Sequence, residues 1–199
     1  MAGLLSNPPI LSNRRALLGA MLCLPFAARA EAAQGFVIDW QGGGMDAAIA
    51  QSLAVQIALV EALPISAEAM AFFRAQPIAV DREMGARTRA GPRGVFFARR
   101  EQPAANPVLL HELIHRWQLL RMPGGRANPD VLRLYAQDRA GGRYPAAAYM
   151  LTNPFEYFAM MASVVLHGEA ARPPFKRANV ETRSPETYAL IVREFGLRI

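Results

Sequence analysis

His111 and His115 stand four residues apart, with Glu112 beside the first, in His111-Glu112-Leu113-Ile114-His115. On a helix, positions four apart lie one above the other on one face, so two imidazoles so placed can hold a single zinc ion. Glu112 projects from an adjoining position and can reach a water on that zinc as general base. The chain has 3 His in all, and two of them fall in this motif. The competing account is a buried helix whose imidazoles bond to backbone carbonyls. A candidate third ligand downstream favours the metal.

The motif needs a helix under it. Asn106-Pro107 predicts the start, with Asn106 as N-cap and Pro107 as first helical residue, and Pro123-Gly124-Gly125 predicts the stop. The helix is therefore expected over 107–121. Catalytic zinc takes three protein ligands and keeps one position open. The longer His-Glu-x-x-His-x-x-Gly-x-x-His pattern is excluded, because position 118 is Gln and position 121 is Arg. The remaining candidates are Asp130, Asp138, Glu156, His167 and Glu169.

Glu156 is preferred. It sits three residues after Asn153, at the start of a helix opened by Asn153-Pro154. That spacing also fits a capping box, in which the Glu reaches back to the N-cap amide. Phe155, Phe158 and Met161 make this face of the helix apolar, and a buried unpaired carboxylate there is costly where a metal-bound one is not. His167 is read as a helix-end residue interacting with the helix dipole, and Trp117, Met160 and Met161 as core.

Around these pieces the chain alternates apolar runs with clear breaks. Gly42-Gly43-Gly44 reads as a turn; no GK[ST] follows, so it is not a phosphate loop. A core helix spans Asp46 to Leu63 and ends at Pro64, and Ser66 caps a short helix over 67–74. Residues 77–81 predict a strand, 82–94 a loop, and 94–99 a second strand. That second strand is either an ordinary sheet member or an edge strand able to pair with an extended peptide. Asn128-Pro129 opens a helix that ends at Gly141-Gly142. Asn153-Pro154 opens one that runs to His167, and Ser184-Pro185 one that runs to Phe195. The expectation is an α+β fold, mostly helical with a small sheet.

With 199 residues, 52% hydrophobic and 19% charged, the chain can bury one good core. Residues 11–33 have the features of an export signal: Arg14-Arg15, the apolar stretch Ala16 to Ala28, and Ala28-Arg29-Ala30 as a cleavage site. Asn13-Arg14-Arg15-Ala16-Leu17-Leu18 is similar to a twin-arginine signal, with the general secretory route as the alternative. The expected division is a signal over 1–30 and one domain over 31–199, working in the periplasm or outside the cell. The apolar stretch is too short to span a bilayer, so no stable membrane anchor is expected after its removal. Setting aside Arg14, Arg15 and Arg29 leaves 19 basic against 16 acidic residues. That mild excess, without an arginine run interleaved with aromatics, argues against nucleic acid as a partner. Cys23, the single cysteine, lies in the signal, so the mature chain has no disulfide.

Tyr149-Met150-Leu151-Thr152-Asn153-Pro154-Phe155-Glu156-Tyr157-Phe158-Ala159, together with the zinc motif, resembles the catalytic domain of anthrax lethal factor and its relatives. That family has a tyrosine seven residues before a glutamate ligand, followed by Phe-Phe-Ala. Ser184-Pro185-Glu186-Thr187-Tyr188 is similar to a helix start further on. Ala62-Leu63-Pro64, the strand at 77–81 and Gly94-Val95-Phe96 are similar to segments before the zinc helix. The resemblance covers about residues 46–195. It implies a zincin-like fold and a zinc metallopeptidase of the gluzincin type acting on a peptide or protein. His111, His115 and Glu156 would be the ligands, Glu112 the base and Tyr149 the oxyanion donor. Two positions depart from the pattern. Ile114 stands where many relatives have Gly, and Met160 where many have an acid that orients a ligand histidine. Gln118, Asp138 or a backbone carbonyl are the candidates to replace that acid. The alternative function is a catalytically silent zincin-fold protein that binds a peptide or partner.

Overall fold

The computed structural model describes residues 35–82 and 87–198; the export segment with Cys23 lies outside the described residues. The first element is a short strand that the sequence reading does not anticipate, β1 (Ile38–Trp40). Helix α1 (Ala47–Glu61) follows the glycine turn, with the Asp46 side chain accepting from the amides of Ala48 and Ile49. Ser66 caps α2 (Ala67–Arg74) through the Ala69 amide, as expected. Next comes β2 (Ile78–Val80), and then a hairpin of β3 (Arg89–Gly91) and β4 (Gly94–Phe97).

The four strands form one mixed sheet in the order β1-β2-β4-β3. β1, β2 and β4 run parallel, and β3 runs antiparallel to β4 with Gly91 opposite Gly94. Two expectations are thereby corrected. Part of the 82–94 segment is a strand rather than a loop, and β4 is interior, so it cannot be the edge strand. The edge beside it is β3. Arg89-Ala90-Gly91 carries no apolar alternation, so its period is silent; the two residues Pro92-Arg93 between two glycines are the hairpin signal. Gly94 has φ +145, and a Cβ there would sit 2.2 Å from the Pro77 carbonyl oxygen, so only glycine lets β4 start this close to β2.

The remainder is helical: α3 (Val108–Leu120), α4 (Pro129–Ala140), α5 (Pro154–His167), α6 (Arg177–Arg183) and α7 (Pro185–Phe195). Two short 3-10 turns, Gly125–Ala127 and Tyr149–Leu151, precede α4 and α5. Helix α6 is not anticipated by the sequence reading; its Arg-Ala-Asn-Val-Glu-Thr-Arg sequence buries only Val180. Helix α5 is buried on every side from Tyr157 to Leu166, the behaviour of an element apolar all round. It packs against α3, α4, α6 and α7, while α3 also packs on α1 and on the β3–β4 hairpin. The coarse α+β class stands. Among the described residues no helix is long and apolar enough to cross a membrane.

The start of α3 differs from the expected cap. Its N-cap is Pro107, and the Asn106 side chain makes no capping bond. Instead Gln56, buried in α1, accepts from the Leu109 amide at 3.1 Å and donates to the Asn106 carbonyl at 3.0 Å. A side chain fifty residues upstream therefore fixes where the motif helix begins. Asn128 and Asn153 do cap their helices, through the amides of Val131 and Glu156. Ser184 does not: its hydroxyl donates to Asp138.

Candidate metal centre

Helix α3 presents His111 and His115 toward the first turn of α5. Their rings meet edge to face, with centroids 4.5 Å apart and planes at 85°. Both Nε2 atoms turn to the same carboxylate oxygen: Glu156 Oε2 lies 3.0 Å from His111 Nε2 and 3.5 Å from His115 Nε2. Two ligands each about 2.0 Å from a tetrahedral zinc stand about 3.3 Å apart, so this spacing fits the ion. Among the described residues these three alone gather potential ligand atoms, all within 4.8 Å of one another.

Glu156 resolves the ambiguity of its position. Its amide donates to the Asn153 side chain, which is half of a capping box, but its carboxylate goes to the two imidazoles. The N-terminal turn of α5 also favours an anion at this point. Behind His115, the Phe155 ring stacks on the imidazole at a centroid distance of 4.0 Å, and the Arg126 guanidinium lies over the Phe155 ring, 4.4 Å from its centroid. These contacts lock the orientation of the His115 ring.

The protonation states suit a cation. Burial pushes the His115 imidazole down to about 4, so it is neutral with a free lone pair at neutral pH. Burial by itself would raise Glu156, but its bonds to His111 and His115 outweigh that and hold it below the usual carboxylate range. Glu112 is the opposite case. Burial drives it up to about 7, despite His111, the Ala90 amide and Arg89, which favour its charged form. Its Oε2 accepts the Ala90 N–H at 2.6 Å, across the gap from α3 to the edge strand.

Comparison with known proteins returns nothing. No family model matches the chain, and no curated protein or solved structure matches it. The resemblance to the lethal factor domain therefore rests on the quoted residues alone.

Tyr149 lines the same cleft as His111 and Glu112, half-exposed, with the Arg172 guanidinium 5.7 Å from its ring centroid. Partial burial and then the Glu156 carboxylate raise its hydroxyl above the ordinary tyrosine value, so it stays a donor. Met160, four residues after Glu156, also lines the cleft. Asp138 does not replace the acid of many relatives, because it accepts from Tyr157, Ser184 and Arg143 elsewhere in the core. Gln118 is fully buried one turn beyond His115, with neither amide atom bonded, and the Nδ1 atoms of His111 and His115 have no partner among the described residues. His167 ends α5 away from the centre, and Trp117 is core, its indole N–H donating to Glu194 at 2.8 Å.

The sequence reading missed two contributors. Ala90 acts through its backbone, which no side-chain motif announces. Arg126 acts through Phe155, and only the fold brings the two together.

Proposed function

We propose that the chain is an exported, zinc-dependent metallopeptidase of the gluzincin type with a zincin-like fold. The observation that carries this reading is the meeting of His111 Nε2, His115 Nε2 and Glu156 Oε2 beside a cleft lined by His111 and Glu112. These three side chains would hold one zinc ion, and a zinc so held acidifies water and polarises a carbonyl.

The chain's own residues divide the remaining work. Glu112, an acid poised near neutrality, takes the proton of the attacking water and passes it to the leaving amine. The Ala90 amide keeps the Glu112 carboxylate aimed. Tyr149, protonated and beside the Glu156 carboxylate, donates to the oxyanion that develops on the peptide carbonyl. The outer edge of β3 is already taken, by Glu112 on the Ala90 amide and by Arg116 on the Gly91 and Pro92 carbonyls, so the substrate is not added there as a further strand.

The unpartnered Nδ1 atoms and Met160 favour a second reading, a zincin-fold protein that binds a peptide without cleaving it. Metal analysis with peptidase assays of wild type and Glu112→Gln separates the two. One equivalent of zinc with cleavage lost in Glu112→Gln supports the peptidase. Zinc without cleavage of a broad peptide library supports the silent protein. Absence of zinc removes the peptidase and leaves the silent protein, in which the metal is structural or absent.

A further inference from the structure

The catalytic cleft, about 390 Å³, is lined by Arg87, Arg100 and Arg172, and among the described residues Glu112 is the one acid in its lining. Five arginines elsewhere in the fold have carboxylate partners. Arg74 pairs with Glu61, Arg89 with Asp81, Arg121 with Glu68, Arg133 with Glu186 and Arg143 with Asp138. The cleft arginines are exposed, and no carboxylate among the described residues pairs with them. Arg172 lies over the face of Tyr149. Arg87 precedes β3, Arg100 follows β4, and Arg172 follows α5, so cations come from both the sheet side and the α5 side of the motif helix. Like charges in a concave, partly apolar cleft focus their field on whatever enters it, and a guanidinium fork matches a carboxylate.

We propose that this cleft selects peptides carrying a carboxylate next to the bond to be cleaved. The inference rests on the peptidase reading and names its substrate class. An acidic side chain and a free chain end offer the same group, and the test tells them apart.

The zinc-loaded full chain is assayed on blocked fluorogenic peptides identical except for Glu, Gln or Lys flanking the scissile position, and on versions with free or amidated ends. The expected kcat/KM order is Glu above Gln above Lys, with Glu over Lys by about tenfold at low salt and less as salt rises. Arg87→Gln with Arg100→Gln lowers kcat/KM for the Glu peptide by more than for the Gln peptide, so the Glu-over-Gln ratio falls. Arg193→Gln, an exposed arginine outside the cleft, changes neither. An advantage confined to free ends assigns the carboxylate to the chain terminus. Equal rates, or a preference for Lys, overturn the proposal. If no peptide is cleaved, the peptidase reading fails instead. Fluorescence anisotropy of the same peptides on Glu112→Gln then decides this proposal: tighter binding of the Glu peptide upholds it and equal binding overturns it.

Discussion

The amide of Ala90 donates to Glu112 Oε2 at 2.6 Å, tying the edge strand to the acid beside the candidate metal ligands. The bond spends an outward-facing amide of β3 rather than a rung of its ladder with β4, so it can be removed without dismantling the sheet. A donor to a carboxylate favours the charged form, and a bond to a charged group is worth about 1.5–3 kcal/mol.

Ala90→Pro deletes that donor at an edge position where proline is tolerated. The acid limb of the kcat/KM profile is expected to move up by roughly one pH unit, with thermal stability little changed. An unmoved limb would show that Glu112 is aimed by something else.

Glu156→Gln keeps the shape of the side chain and removes its charge. Zinc affinity is expected to fall by at least about 100-fold, measured by competition with a chromophoric chelator, because even groups behind the ligands commonly change affinity 10–100-fold. Glu169→Asn, at a candidate position that joins no ligand cluster, serves as the control and should retain wild-type affinity.

Tyr149→Phe should leave zinc binding intact and reduce kcat by about 100-fold, the effect of losing one oxyanion donor. Unchanged kcat would return Tyr149 to a packing residue against Arg172.

What could be read from the chain and what could not follows from the range of the forces involved. The Asn128 and Asn153 caps, the glycine stops and the His111/His115 spacing are local, and each appears where expected. Glu156 stood between two local readings, and α3 decided between them: the imidazoles draw off the carboxylate that a capping box would use. Strand β3 has almost no side-chain signature because its pairing is carried by backbone. The Asn106 cap failed for a non-local reason, since Gln56 on α1 already fills the role.

That substitution of one cap for another gives a contrast in stability. Gln56→Leu leaves the Leu109 amide without its partner in a buried region, while the Asn106 carbonyl keeps the Val108 amide, at an expected cost of about 1–3 kcal/mol. Asn106→Ala should cost less than about 0.5 kcal/mol, since its side chain caps nothing. Urea denaturation of both variants checks the order, and a costlier Asn106→Ala would restore the expected N-cap.

The metal-free protein should show an unusual pH dependence, because two buried groups oppose one another. Glu112 rises from 4.5 to about 7 on folding, so the folded state binds its proton more tightly. That contribution is full below pH 4.5 and is lost as pH climbs to about 7. His115 falls from 6.5 to about 4, so its contribution is full above pH 6.5 and is lost as pH drops toward 4. Glu156, held low, acts below this window. Between about pH 4.5 and 6.5 the two slopes offset, and the chelated wild type should be nearly flat. Glu112→Gln removes the falling slope and leaves the rising one. Relative to wild type, its stability should therefore gain up to roughly 3 kcal/mol on going from acid to neutral pH. Denaturation of the chelated proteins at the two ends of the window measures this directly. Parallel pH curves for wild type and Glu112→Gln would mean that Glu112 titrates in the folded protein as it does unfolded, and the case for a base poised near neutrality would go with it.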